Sequence, residues 1–162
     1  MLPYYKNILY TTDLTPNSVY AFKHAVLLAR KSSAKIHILH VIPEADVTFR
    51  NYVTPLMGEK TLEEFEAEHE KQARESLAKR LENFAKTELE AFPEDYKNIT
   101  DIEVVHGHTV PEILHAADRI DADVIVMGTH GKGAISHTFL GSVAEKVLHR
   151  SKRPVFVIPI PD

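Results

Sequence analysis

The residues best suited to chemistry are glycines grouped after a short apolar run. Residues 124–127 are four apolar residues in a row, and Gly128, Gly131 and the pair Gly141-Ser142 follow them. Glycines at a strand-to-helix turn let the backbone approach a ligand closely and direct its N–H groups inward. The positive end of the helix behind them attracts anions, phosphates above all. The spacing therefore predicts a phosphate-binding loop.

A carboxylate follows another predicted strand near the start of the chain. Asp13 comes after Thr11 and Thr12, and the pair Thr15-Pro16 begins a helix. In an open parallel sheet, ligands bind outside the carboxyl ends of strands where the strand order reverses. If the two strands are neighbours, Asp13 faces the glycine loop, where it can accept hydrogen bonds from ribose hydroxyls or an adenine amino group. Taken alone, Asp13 is better explained as a helix cap; the two loops together predict a nucleotide site.

Strands and helices alternate along the chain that must position these loops. Periodicity predicts strands at 7–11, 35–41, 102–106, 124–128 and 154–159. Capping patterns predict helices that begin at Thr15-Pro16, Thr61, Thr109 and Ser142, the last ending near residue 149. The alternation predicts an α/β fold, a doubly wound five-stranded parallel sheet with helices on both faces. We expect a single domain over residues 1–162, with a loop excursion at about 43–60.

The composition excludes several classes of function. The chain has no cysteine, so thiol catalysis and zinc–cysteine sites are ruled out. Its net charge of −4 comes without a sustained basic run, which argues against nucleic-acid binding. No apolar run has transmembrane length, and residues 1–6 show no signal segment. We therefore expect a cytoplasmic protein that binds neither nucleic acid nor membrane.

These motifs resemble those of the universal stress protein family, in its ATP-binding branch. The family signature is Gly, two residues, Gly, nine residues, then Gly and Ser or Thr; here it stands as Gly128, Gly131 and Gly141-Ser142. The similarity also covers the opening 7–13, the strand 123–128 and the ending 153–159, and so nearly the whole chain. It implies a Rossmann-like fold of the adenine nucleotide alpha hydrolase type.

The resemblance also implies a site for an adenine nucleotide, either ATP, ADP or AMP. Asp13 and the backbone at Val41 would hold adenosine. The ribose and phosphates would contact Gly128, Gly131, Gly141, Ser142 and Val143, with His130 beside them. The strand ends that flank the crevice contribute Thr11, Thr12 and Met127. In the family, Mg²⁺ or Mn²⁺ commonly accompanies the phosphates without a dedicated set of protein ligands.

Two motifs have a second explanation from the residues alone. Ser142 opens a Ser-Val-Ala-Glu capping box, so its hydroxyl can cap the helix instead of contacting a phosphate, and both remain open. His106 and His108 suggest a metal site, but the chain turns between them and no carboxylate stands at ligand spacing. Solvated loop histidines are the better interpretation, and we predict no metal site made by the protein.

The favoured function is nucleotide binding by a regulatory stress-response protein with at most slow ATP hydrolysis. No residue is assigned a catalytic role. The alternative is a nucleotide-dependent enzyme of the same α/β group, an ATPase or an adenylyl transferase. Against it, the pair Gly131-Lys132 precedes Gly133 rather than the Ser or Thr of a P-loop, and His130 is the one candidate base. A flavin module is disfavoured because the chain has no tryptophan.

The last predicted strand is a candidate interface. The segment from Val155 to Ile158 is apolar and terminal, and we expect it at an edge of the sheet. An uncovered sheet edge invites pairing with another chain. The resemblance implies a homodimer formed through this strand. Whether a further protein partner exists stays open, because the sequence does not identify one.

Overall fold

A five-stranded parallel sheet organises the molecule. The computed structural model describes residues 1–44, 51, 54–56, 58–129 and 140–159. The strands are β1 (Asn7–Thr11), β2 (Lys35–Pro43), β3 (Ile99–Gly107), β4 (Val124–Gly128) and β5 (Val155–Ile158). They lie in the order β3-β2-β1-β4-β5, and every neighbouring pair is parallel. The order reverses between β1 and β4, so the predicted doubly wound α/β fold is confirmed.

Helices cover both faces of the sheet. They are α1 (Pro16–Ser32), α2 (Glu59–Glu88), α3 (Thr109–Arg119) and α4 (Ser142–Arg150), with a 3-10 helix (Pro93–Asn98) before β3. Helices α1 and α2 pack on one face, and α3 and α4 pack on the other. Among the described residues, each α helix is too short or too polar to cross a membrane.

The strands are apolar on both sides because both faces are covered. Ile8 and Tyr10 point into the core under α1 and α2, whereas Leu9 between them points under α3 and α4. Ile125 and Met127 of β4 join Leu9 on that second face. Alternate residues of a strand point to opposite faces, so a strand buried on both sides reads as a continuous apolar run. Burial on both faces therefore explains the apolar run at residues 124–127.

Two residues predicted as N-caps lie inside their helices. Helix α2 begins at Glu59 behind Gly58, two residues before the predicted cap Thr61. Helix α3 has His108 as its N-cap, so Thr109 is already its first helical residue. Neither cap residue makes a side-chain hydrogen bond. The capping boxes predicted for α2 and α3 were therefore wrong: a hydroxyl inside the helix has lost the extended backbone from which it reaches the free N–H groups.

The region between β2 and β3 differs from prediction in two further ways. Strand β3 begins at Ile99 instead of residue 102, and β2 continues to Pro43. The 3-10 helix was not predicted; its buried Asp95 pairs with Arg30 of α1. Within the predicted excursion at 43–60, residues 45–50, 52, 53 and 57 lie outside the described residues.

Candidate functional site

The loop after β1 lies beside the end of β4. Ile8 pairs with Val124, and Tyr10 pairs with Val126, so the two strands run side by side towards their carboxyl ends. The two strands are therefore neighbours, as the predicted nucleotide site requires, and their pairing brings Asp13 and Gly128 to the same edge of the sheet. This edge is where the strand order reverses, the usual position of ligands in open α/β sheets.

Hydrogen bonds fix the loop that carries Asp13. Thr11 and Thr12 are buried, and the Thr12 backbone N–H donates to the carbonyl of Leu39 at 2.9 Å. The Thr12 hydroxyl donates to Ser18 Oγ at 2.7 Å and accepts from the backbone N–H of Leu14 at 3.0 Å. Because Leu14 has a φ of 65°, the chain turns sharply at this point. The loop is therefore held in one conformation before any ligand arrives.

Tyr10 ties the same network to the core. Its buried hydroxyl donates to the carbonyl of Ser18 at 2.7 Å. The Ser18 hydroxyl in turn donates to the carbonyl of Thr15 at 2.7 Å. Burial raises the pKa of Tyr10 to about 12, so the phenol stays protonated and keeps donating at physiological pH. A buried polar network of this kind rigidifies the backbone around it.

Asp13 divides its two carboxylate oxygens between the loop and the crevice. Oδ1 accepts from the backbone N–H of Thr15 at 3.0 Å and from the Thr15 hydroxyl at 2.5 Å. The side chain is exposed, and Oδ2 takes no hydrogen bond from the described residues. Through these two hydrogen bonds Asp13 supports the N-cap residue of α1, and this is its structural role. It also keeps one charged acceptor for a ligand.

Strand β2 extends past the end of β1 at Val41. The carbonyl of Leu39 accepts from Thr12, so the backbone groups of Leu39 point towards β1. Backbone groups alternate in direction along a strand, and those of Val41 therefore point to the same side. The ladder between β1 and β2 ends at the pair of Thr11 and Leu39. The N–H and carbonyl of Val41 thus face the crevice beyond the end of β1.

The end of β4 forms the opposite wall. Met127 is buried, while Gly128 is partly exposed at the carboxyl end. A Cβ added at Gly128 would lie 4.0 Å from the carbonyl oxygen of Ile158, an ordinary contact. Packing against the described residues therefore does not require glycine here. Close approach of a ligand is a reason that remains.

Helix α4 begins at Gly141, which is its N-cap with φ 72° and ψ 141°. Such angles are essentially restricted to glycine. Ser142 is already helical and exposed, and no side chain caps this helix. The capping box predicted at Ser142 was wrong because the serine lies one position inside the helix. Its hydroxyl takes no partner among the described residues and is available to a ligand, while Val143 behind it packs on the core.

A cavity of about 500 Å³ lies between the first turns of α3 and α4. The ends of β2 and β3 and residues 109–111 of α3 line one side. On the other side the lining comes from α4 through Ser142, Val143, Lys146 and Arg150. Two residues predicted to hold phosphates therefore line a cavity of the size of small-molecule sites. His130 and Gly131, predicted beside them, lie outside the described residues.

The two histidines of the His-Gly-His segment take different partners. His106 Nδ1 lies 3.4 Å from Arg74, and His108 Nε2 lies 3.6 Å from a carboxylate oxygen of Glu44. Strand β3 ends at Gly107 and helix α3 begins directly after His108, so the chain turns here as predicted. Among the described residues, no three histidine or carboxylate side chains come close enough to hold a metal ion.

Some contributors to the site were not predicted. The hydrogen bonds of Ser18 and Thr15 that hold the Asp13 loop depend on how α1 packs. One feature of the sequence could have indicated Lys146 and Arg150: they follow Ser142 at intervals of four residues and so share its helix face. This spacing alone does not predict a cavity, because the cavity also depends on the position of α3.

Known proteins resemble this chain along nearly its full length. The family model of the universal stress protein family matches residues 4–159. Universal stress protein MJ0577 of Methanocaldococcus jannaschii is 34% identical over 158 residues, covering 95% of this chain and 94% of that protein. Universal stress protein MJ0531 of the same organism is 30% identical, covering 97% of this chain and 84% of that protein.

Solved structures share the fold. The structure of MJ0577 superposes with a TM-score of 0.72 at 28% identity, and the match covers 98% of each chain. A universal stress protein in complex with cAMP superposes with a TM-score of 0.57 at 23% identity, covering 97% of this chain and 98% of that one. The extent of the family match and the identity to MJ0577 decide the assignment. This chain belongs to the universal stress protein family.

Proposed function

We propose that this protein binds an adenine nucleotide, ATP in the first place, in the crevice between the ends of β1 and β4. The observation that carries the proposal is the pairing of these two strands, which sets Asp13 opposite Gly128 at the switch point of the sheet. A carboxylate oxygen for the nucleoside and a glycine-led helix start for the phosphates then border the same crevice.

Each part of the nucleotide has a matching group. Ribose hydroxyls donate to Oδ2 of Asp13, which has no other described donor. The backbone of Val41 offers a donor and an acceptor to the edge of adenine, since its strand extends beyond β1. The phosphates meet the N–H groups and the Ser142 hydroxyl at the start of α4. By family resemblance, His130 and Gly131 complete the phosphate contacts.

A divalent cation enters this proposal with the nucleotide. Mg²⁺ commonly keeps several waters and binds through substrate phosphates with one or two protein ligands. Mg²⁺ or Mn²⁺ would therefore sit on the phosphate chain, where it supplies charge neutralisation.

We propose a regulatory role in the stress response rather than an efficient enzymatic one. Oriented amides and a bound cation can polarise a phosphate without a dedicated base, which permits slow hydrolysis. Tyr10 lies close to Asp13, but burial raises its pKa to about 12 and its proton is committed to Ser18. A group so strongly protonated is a poor base at neutral pH.

We further propose that the protein is a homodimer that pairs through β5. The strand order confirms that β5 is an edge of the sheet. Its Phe156 is 39% exposed and meets the ring of Tyr5 edge-on, with the centroids 6.3 Å apart. An apolar edge strand with an exposed aromatic beside it is suited to strand pairing with a second copy. The cytoplasmic location expected from the sequence stays an expectation.

The relatives support the nucleotide class. A universal stress protein of the same fold was solved in complex with cAMP, an adenine nucleotide. At 23% identity that likeness carries the fold and not the site. It supports the proposal only by showing that a protein of this architecture holds an adenine nucleotide.

Glycine variants at two helix starts test the proposal. Gly141→Val should weaken ATP binding at least tenfold, because the branched Cβ enters the phosphate approach and disfavours the φ of 72°. Gly58→Val is the matched control: Gly58 also caps a helix, with a φ of 79° and no described atom within 4 Å of an added Cβ. Titration calorimetry on nucleotide-free protein measures both. Equal affinities of Gly141→Val and Gly58→Val would show that the phosphate site is elsewhere.

A further inference from the structure

Among the described residues, the cavity between α3 and α4 is lined by more cationic than anionic side chains. These ionisable lining residues are Lys146 and Arg150 from α4, His108 from the start of α3, and Glu44 after the end of β2. A carboxylate oxygen of Glu44 lies 3.6 Å from His108 Nε2. Lys146 and Arg150 form no ion pair within the described ranges. Two cations without an ion-pair partner in that part of the chain therefore border one cavity.

The two cations lie on the same face of α4 as the proposed phosphate site. Ser142, Lys146 and Arg150 are spaced four residues apart, so they lie along one face of α4. Long side chains of a helix lean towards its N-terminus. The ammonium and guanidinium groups therefore lean back along the cavity towards Ser142, where the proposed function puts the first phosphate.

The start of α3 adds to the positive potential from the other side. Its N-cap His108 makes no side-chain capping bond, and residues 109–111 line the cavity. The first N–H groups of α3 and of α4 thus border the same space, with Lys146 and Arg150 beside them. Partial charges at the two helix starts and two full charges all favour an anion.

We infer that Lys146 and Arg150 hold the terminal phosphate of the bound nucleotide, and that the protein therefore prefers nucleoside triphosphates and diphosphates to monophosphates. The inference rests on the proposed function, since it names the ligand class of that same site. The first phosphate stays at the start of α4, and each further phosphate extends into the cavity towards the two cations. Glu44 opposes this preference because it is the carboxylate in the lining.

Affinities for ATP, ADP and AMP test the inference in one experiment. Titration calorimetry with Mg²⁺ would be done on nucleotide-free protein and on the variants Lys146→Gln, Arg150→Gln and the double variant. Lys152→Gln is the matched control, because it removes the same charge just after α4 from a residue outside the lining. Glu44→Gln is the reciprocal variant, which removes the opposing carboxylate from the cavity.

The wild-type protein should bind ATP about tenfold more tightly than AMP, a factor typical of exposed charge pairs acting together. The double variant should reduce this ratio to below about threefold, and Glu44→Gln should increase it. Raising the ionic strength should reduce the ratio in the wild type more than in the double variant, because salt screens exposed charges.

Two results would overturn the inference in different ways. In the first, ATP and AMP both bind, but the ratio of their affinities is unchanged in the double variant or falls by as much in Lys152→Gln. Nucleotide binding then stands, and the terminal-phosphate site is wrong. If no nucleotide binds to the wild-type protein, the proposed function fails and the inference fails with it.

Discussion

At the scale of single residues, Asp13 has a structural role and, in the proposed function, a binding role. Oδ1 accepts hydrogen bonds from the backbone and hydroxyl of Thr15, and Oδ2 accepts none from the described residues. In the proposed site Thr15 is therefore a positioning residue, since it orients the carboxylate without contacting the phosphates. Preorganisation of this kind improves affinity by removing the cost of ordering a side chain on binding.

Replacing Thr15 with valine tests that positioning role. Thr15→Val keeps the buried shape but removes the hydroxyl that donates to Asp13 at 2.5 Å. We expect ATP affinity to fall about three- to tenfold, the size of one ordinary hydrogen bond, because the backbone N–H of Thr15 still donates to Asp13. Thr15→Ser retains the hydroxyl and should bind ATP as the wild type does. If Thr15→Val and Thr15→Ser bind equally well in a calorimetric titration, the hydroxyl does not orient the carboxylate.

His37 of β2 is a second residue whose surroundings have a measurable consequence. Its Nδ1 is buried with no hydrogen-bond partner among the described residues, and Nε2 lies 3.3 Å from the Thr100 hydroxyl. Burial lowers the pKa of His37, and Lys35 and Arg119 nearby lower it further. Asp101 and Glu103 act in the opposite direction but do not outweigh the burial.

The lowered pKa of His37 makes stability depend on pH in a defined direction. Well above pH 6.5 the imidazole is neutral in both the folded and the unfolded state, so stability there does not depend on it. Below pH 6.5 the unfolded state takes up the proton first, and the free energy of unfolding decreases. We expect His37→Gln to lose less stability than the wild type between pH 7.5 and pH 5.5 in urea titrations, a range that spans the ordinary histidine pKa of about 6.5. Parallel losses in the two proteins would exclude this contribution.

At the scale of elements, the edge strand β5 has one paired side and one open side. The carbonyl of Pro154 accepts from Ile125, and that of Ile158 accepts from Thr129, so these even-numbered residues point to β4. Backbone groups alternate along a strand, and those of Val155 and Val157 therefore point outward. A second copy of the chain would pair with this outward row.

A proline at Val157 tests pairing through β5 without removing a bond to β4. Val157→Pro deletes the outward N–H, and proline is tolerated on an edge strand in that orientation. The proposed homodimer should become a monomer in sedimentation equilibrium. Val157→Thr, which keeps both the N–H and the branched shape, should stay dimeric. A Val157→Pro protein that sediments as a dimer would exclude the outward row as the interface.

The elements also show what the sequence could and could not predict. The runs at β1 and β4 were predictable because both faces of those strands are buried, but their adjacency was only a condition of the predicted site, since the α/β alternation does not fix the strand order. The start of α1 at Thr15-Pro16 was predicted correctly. The N-caps of the other three α helices were not, because Thr61, Thr109 and Ser142 fit a capping pattern yet lie inside their helices. The 3-10 helix was not predictable either, because it depends on a contact between Asp95 and Arg30. These residues are 65 positions apart, so no local sequence pattern reveals the contact.

At the scale of the whole molecule, the topology decides where a ligand can bind. The order β3-β2-β1-β4-β5 reverses between β1 and β4, and the helices that follow these strands, α1 and α4, pack on opposite faces of the sheet. The proposed site lies at this reversal, beside Val41, Asp13 and the start of α4. The glycine spacing predicts a site here, whereas the part we propose for Lys146 and Arg150 depends on how α3 packs beside α4.

The central claim is that this crevice holds an adenine nucleotide. The most direct measurement is calorimetric titration of nucleotide-free protein with ATP and Mg²⁺, with circular dichroism to show that the stripped protein is folded. We expect one ATP to bind per chain with a dissociation constant on the order of micromolar, which corresponds to a binding free energy of about −8 kcal/mol. A folded protein that gives no binding heat with ATP at two temperatures would contradict it.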